Sequence, residues 1–276
     1  MEVQRARSKP VDALDVRDLS FRAYVEWGNK KQQKDEKGAY TDATTLLNRA
    51  LALAPDDPLA LDLTATVNLC GCVDAWSHNV AEQQAIGAAA LDRYLRGHPD
   101  SSSALTLKGE LYGLHGRFEE ALVIVDSVLK RDPEYTDALA DKAYDLLKLG
   151  RPQEALTAVN EVLDRRDWWS DAALAAAVHY ELGQYEPAAR MAQNAVTQMD
   201  REDLSNPRWG AVQLTLVAAE ARLGDLPRAK TALSDFNAAA SGVQTISAMK
   251  RWMHPAADLA GYEPLFDGLR LAGIGN

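Results

Sequence analysis

Apolar residues recur at helical spacing along most of the chain. Between residues 118 and 131 they are Phe118, Ala121, Leu122, Val125, Val128 and Leu129, one stripe of a 3.6-residue period. Ala155, Leu156, Val159, Val162 and Leu163 repeat the stripe one unit later. No segment sustains the two-residue alternation of a half-buried strand between turn signals. The pattern predicts an all-helical protein.

Between the stripes a short string returns: Gly, any residue, an apolar or aromatic residue, two mostly polar residues, Ala. It runs from Gly38 to Ala43, Gly116 to Ala121, Gly150 to Ala155, Gly183 to Ala188 and Gly224 to Ala229. Gly116 and Gly150 are 34 residues apart, and Gly150 and Gly183 are 33 apart. A period near 34 is that of a helix–turn–helix unit stacked in tandem. Gly183 to Gly224 is 41 residues, so one loop is longer; Gly38 to Gly116 is 78, two units with about ten residues added. Six helix pairs are expected, the second irregular, with the register over 56–98 the least defined.

Each residue of the string has a physical task. The Gly closes the first helix of a pair in the left-handed conformation. Pro152 and Pro227 enter the first turn of the next helix, where a missing N–H matters least. The Ala lets two helices approach closely. Pro55, Pro99 and Pro133 mark where second helices end, with Asp167 and Asp200 at the equivalent later positions.

The run from Leu105, Gly109 and Tyr112 through Ala121 to Pro133 closely resembles a tetratricopeptide repeat, continued by Ala143, Ala155, Ala176, Ala188 and Ala229. The resemblance covers roughly residues 24–240 and implies a right-handed superhelical solenoid of tandem helix pairs. The flanks carry a second resemblance. Asp15-Val16-Arg17-Asp18-Leu19 and Gly268-Leu269-Arg270-Leu271-Ala272-Gly273-Ile274 look like the entry and closing segments of the repeat region of certain bacterial class III adenylate cyclases and winged-helix regulators. That implies the regulatory module of such a protein, standing alone or separated from it.

The expected organisation is a flexible N-terminal tail over 1–13, repeats over 14–240 and C-terminal capping helices over 241–276. Trp252, Leu259, Tyr262, Leu265, Phe266 and Leu269 would fold over the apolar end of the array.

Composition narrows the function classes. The 276 residues are 47% hydrophobic and 25% charged, ordinary for a soluble globular chain. A net charge of −10 argues against a phosphate backbone or an anionic membrane as the main ligand. No stretch approaches the ~18 apolar residues of a membrane span, and the first thirteen residues lack the apolar core of a secretory signal. Cytoplasm is the expected location, and a protein or peptide is the expected partner.

Fold resemblance places that partner in a concave groove lined by the first helices of the pairs. The groove residues by alignment are Thr106, Glu110, Leu114, Ala140, Tyr144, Leu147, Ala173, Ala177, Tyr180 and Glu181, with Tyr144 and Tyr180 as amphipathic anchors. Thr106 with Glu110, and Ala140 with Tyr144, stand where chaperone-binding relatives carry a Lys/Asn carboxylate clamp, so that ligand is excluded. Cys70, Cys72 and His78 make one thiol pair and one imidazole, short of a four-ligand zinc site. No HExxH, GxSxG or phosphate-loop motif occurs. No cofactor, no metal and no catalysis are expected. Arg165-Arg166-Asp167-Trp168-Trp169 is the most unusual corner, either an exposed aromatic-basic spot or a packing repair where Asp167 replaces Pro.

Overall fold

The computed structural model describes residues 9, 13–32, 36–73, 79–199, 207–240, 242–253 and 262–276. Among these the chain forms fourteen helices and no strand. They are α1 (Val16–Gln32), α2 (Glu36–Leu53), α3 (Pro58–Val73), α4 (Val80–Gly97), α5 (Ser102–Leu114), α6 (Phe118–Arg131), α7 (Thr136–Lys148), α8 (Pro152–Arg165), α9 (Trp169–Glu181), α10 (Tyr185–Gln198), α11 (Pro207–Arg222), α12 (Leu226–Ala239), α13 (Ile246–Met253) and α14 (Glu263–Leu271). Five of the six expected pairs pack as such, α1 with α2, α3 with α4, α7 with α8, α9 with α10 and α11 with α12; α5 closes one compact unit and α6 opens the other, and α13 and α14 are the short C-terminal helices. The helices gather into two compact units, Met1–His115 and Gly116–Asn276.

In the first unit, Leu19, Ala23 and Trp27 of α1 pack with Ala43, Leu47 and Ala50 of α2 and Leu63 and Val67 of α3. A second cluster joins Leu61, Ala65 and Leu69 of α3 to Ala90 and Leu91 of α4 and Leu107 of α5. The helix starts are capped by side chains. Asp15 accepts from the Asp18 amide at 2.8 Å and Asp57 from the Ala60 amide at 2.9 Å.

The second unit shows why the recurrent string works. Gly150 and Gly183 end α7 and α9 with φ near +70° (69° and 70°). Around Gly150, the Arg151 amide donates to the Leu146 carbonyl and the Gly150 amide to that of Leu147. Around Gly183, Gln184 donates to His179 and Gly183 to Tyr180 in the same pattern. This paired bonding satisfies the helix's last carbonyls. The string's Ala121, Ala155, Ala188 and Ala229 are all fully buried, as close helix crossings require. Gly38 departs from the expectation. It lies inside the first turn of α2, downstream of the end of α1 at Gln32, so it is not the residue that stops a helix.

The largest core runs from α9 through α14. It takes Ala172, Ala176 and Tyr180 from α9, Ala188, Ala192 and Ala195 from α10, and Leu214, Val217 and Ala218 from α11. Phe236 of α12, Met249 of α13, and Leu265, Phe266 and Leu269 of α14 complete it. Residues 212–221 of α11 are buried on every side, the mark of a helix covered all round. The tail is tied down as well: Ile246 at the start of α13 donates its amide to the Gly275 carbonyl at 2.9 Å.

The corner after α8 is a packed joint. Arg166 holds Asp171 of α9, a carboxylate only 4% exposed, through Nε at 2.7 Å, and also pairs with Asp137 of α7. Its guanidinium lies 4.0 Å from the ring centre of Trp168, which is 56% exposed, while Trp169 packs on the main core.

Candidate functional site: the face of the odd-numbered helices

Three of the groove residues expected from the sequence lie on α5 in the first unit. Leu114 is exposed, Glu110 is half-buried, and Thr106 is buried in the unit's interior, with no hydrogen-bond partner for its hydroxyl. Thr106 sits beside Ala104 and Leu107 of the α3–α5 core and takes its inward direction, so it does not line an open surface.

The other seven lie on α7 and α9 in the second unit. Ala140, Tyr144 and Leu147 follow one another at i, i+4 and i+7, and Ala173, Ala177 and Tyr180 do the same, so each set shares one helix face. On α7 the Tyr144 ring is 42% exposed. Its edge-to-face contact with Phe118 of α6, centroids 6.3 Å apart, fixes it from below. Ala140 and Leu147 beside it are half-buried.

On α9 the arrangement differs from the sequence expectation. Tyr180 is 4% exposed and cannot serve as an open anchor. The cause is α14, which lies on α11 and reaches α9 and α7 as well. The Tyr180 hydroxyl donates to the Pro264 carbonyl at 2.9 Å, and Arg222 of α11 donates to the same carbonyl at 3.5 Å. Burial pushes the Tyr180 phenol above its usual range, with Arg222 opposing. Ala173 and Ala177 next to it are half-buried.

Lys148 of α7 closes this seat at one end. Its ammonium donates to the Tyr262 hydroxyl. It stands 4.2 Å from the centre of the Tyr262 ring and 5.2 Å from that of Tyr144, between two aromatic faces. Burial, aided by the nearby Glu181 charge, pushes the Tyr262 phenol up to about 12. Glu181, the last of the ten expected residues, is itself raised by desolvation, with Lys148 opposing. Tyr262, Gly268 and Ala218 were not among the residues the repeat alignment singled out. Gly268 carried a readable signal, a glycine inside an amphipathic run, which often marks close backbone approach.

Among the described residues no group of three or more His, Cys, Asp or Glu could hold a metal ion. The side chains of Cys70 and Cys72 and all of His78 lie outside the described residues, as do Asp200, His254 and Leu259 and most of the N-terminal segment 1–13. No helix among the described residues is long and apolar enough to cross a membrane.

Comparison with known proteins agrees with this architecture. Residues 114–178 match the tetratricopeptide repeat family. No curated protein matches the chain by sequence. Among solved structures, pilF of Pseudomonas aeruginosa superposes with a TM-score of 0.57 at 15% identity, covering 86% of this chain and 99% of its own. TTC0263, a thermophilic tetratricopeptide protein of Thermus thermophilus, gives 0.54 at 18% identity, covering 70% and 99%. A tetratricopeptide repeat protein of Parabacteroides merdae gives 0.51 at 18% identity, covering 92% and 94%. The chain is thus an all-α helical-repeat protein whose residues 114–178 match the tetratricopeptide repeat family and whose fold is similar to that of solved tetratricopeptide repeat proteins.

Proposed function

We propose that the chain is a non-catalytic scaffold that holds a peptide or helix of a protein partner on the face of its odd-numbered helices. The single observation that carries this reading is Tyr144. It is a large amphipathic ring, braced by Phe118, flanked by Lys148 and held 42% exposed on α7. Aromatic anchors of this kind supply contact area at small entropic cost. The tetratricopeptide fold supports a protein-binding role in general. The net charge of −10 disfavours nucleic acid and anionic membrane as ligands and suits a cytoplasmic protein partner.

The open part of the surface is Ala140, Tyr144 and Leu147; Ala173, Ala177, Tyr180 and Glu181 line or border the seat of α14. Leu114 and Glu110 lie on α5, in the other unit. The rival reading, a regulatory module of a cyclase-like or winged-helix regulator, rests on the flanking segments alone. The structure gives one of them a packing task, since Gly268 and Leu269 are buried against the core.

Affinity capture from native extract with the intact chain, read by mass spectrometry, tests the scaffold reading. Tyr144→Ala should lose the captured partner while the helical content stays unchanged. Undiminished capture would remove the odd-helix face from consideration.

A further inference from the structure

We propose that the seat of α14 on α9 and α11 is a helix-binding site that the chain fills with its own segment. The partner it fits is a short amphipathic helix with glycine at the point of closest approach. This rests on the reading that the odd-helix face receives a partner, and it specifies that partner's chemistry.

Gly268 is the key residue. A Cβ there would stand 2.7 Å from the Ala218 Cβ of α11 and would also meet the Tyr180 hydroxyl of α9. Both odd helices therefore touch the α14 backbone at one residue. A helix-interior glycine costs about 1 kcal/mol relative to alanine, which close approach offsets here. Around it, Leu265, Phe266 and Leu269 are buried to 5% exposure or less. Polar contacts hold both ends of the segment: Lys148 to Tyr262, Lys250 to Glu263 and Tyr180 to the Pro264 carbonyl at the start, and the Ile246 amide to the Gly275 carbonyl at the finish. An apolar helix face flanked by polar contacts is how an amphipathic helix lies in a groove. At nine residues α14 is too short to hold helical form alone in water, so its helicity comes from the seat, as it does for a bound peptide. The covalent tether gives α14 an effective concentration of roughly millimolar order, so it outcompetes a free helix of equal affinity.

The test uses the full chain and a fluorescent peptide with the sequence of residues 262–276, followed by anisotropy. The unaltered chain should bind the peptide weakly. A chain carrying Gly268→Leu, whose side chain cannot enter the seat, should bind it at least about tenfold more tightly, and the peptide carrying the same substitution should bind neither chain. A second chain, Lys250→Ala with Tyr262→Phe, loosens α14 without adding bulk and should also gain affinity. If the Gly268→Leu chain does not fold, this second chain decides. No gain there makes α14 an inseparable piece of the core and overturns the proposal. Peptide binding together with partner capture untouched by Tyr144→Ala would keep the helix seat and sink the wider scaffold reading.

Discussion

Tyr180 and Pro264, 84 residues apart in sequence, meet through a 2.9 Å hydrogen bond from the phenol to the carbonyl. The bond ties α9 to the first turn of α14 inside the largest core. Removing the hydroxyl by Tyr180→Phe leaves that carbonyl with its place in the α14 helix and the longer contact from Arg222. The expected cost is about 1 kcal/mol, a fall of roughly 2–4 °C in the melting temperature of a unit this size. Calorimetry on the variant checks it, and an unchanged midpoint would show that the bond contributes nothing net.

Gly28 and Gly183 both have open space around a would-be Cβ. They differ in backbone: Gly28 lies within α1, whereas Gly183 has φ +70°. Gly28→Ala should therefore stabilise by about 0.5–1 kcal/mol, and Gly183→Ala should destabilise by about 1–2 kcal/mol. Urea unfolding of the two variants side by side measures the difference, and equal signs would contradict it.

The Arg166 joint should be strongly asymmetric. Asp171 is nearly buried, and its removal leaves a largely enclosed guanidinium with only the more exposed Asp137 as its carboxylate partner, so Asp171→Ala should cost on the order of 3 kcal/mol. Asp137 is 54% exposed, and Asp137→Ala should cost under about 1 kcal/mol. Denaturant midpoints for the two substitutions give the comparison.

Alkaline pH should loosen the C-terminal helix. Tyr262 stays neutral in the folded chain up to about 12, against 10.0 for an ordinary phenol. Its contribution is whole below pH 10 and is lost as pH climbs from 10 towards 12, because the unfolded chain gives up the proton first. Burial of Tyr180 acts in the same direction. The loss attributable to Tyr262 is at most ~2–3 kcal/mol. Stability measured across this range should fall less steeply for Tyr262→Phe than for the unaltered chain; parallel curves would refute the assignment.

Much of the fold was legible because repeats write their rules locally. Gly150 closes a helix and Ala155 permits a crossing within a few residues of each other, and the same pair returns at Gly183 and Ala188. Gly38 misled because the string alone does not say whether a helix has ended before it. The candidate site was only half legible. Tyr180 stands one repeat after Leu147, as Ala177 does after Tyr144, and nothing near Tyr180 in sequence marks it as covered. The cover comes from Pro264 and Gly268, far along the chain, and such long-range burial leaves no periodic trace. Thr106 failed for a related reason: a small polar residue can face inward or outward, and its neighbours in α5 turn it in.

The all-round burial of α11 has a consequence for biosynthesis. When residues 207–222 leave the ribosome, the α9 and α10 faces that receive them already exist, but α12, α13 and α14 do not. Leu214, Val217 and Ala218 belong to a helix that the finished fold buries on every side over 212–221. Until Phe266 and Leu269 arrive, the side of that helix they cover stays exposed, the kind of nascent surface that chaperones engage and that aggregates when they do not.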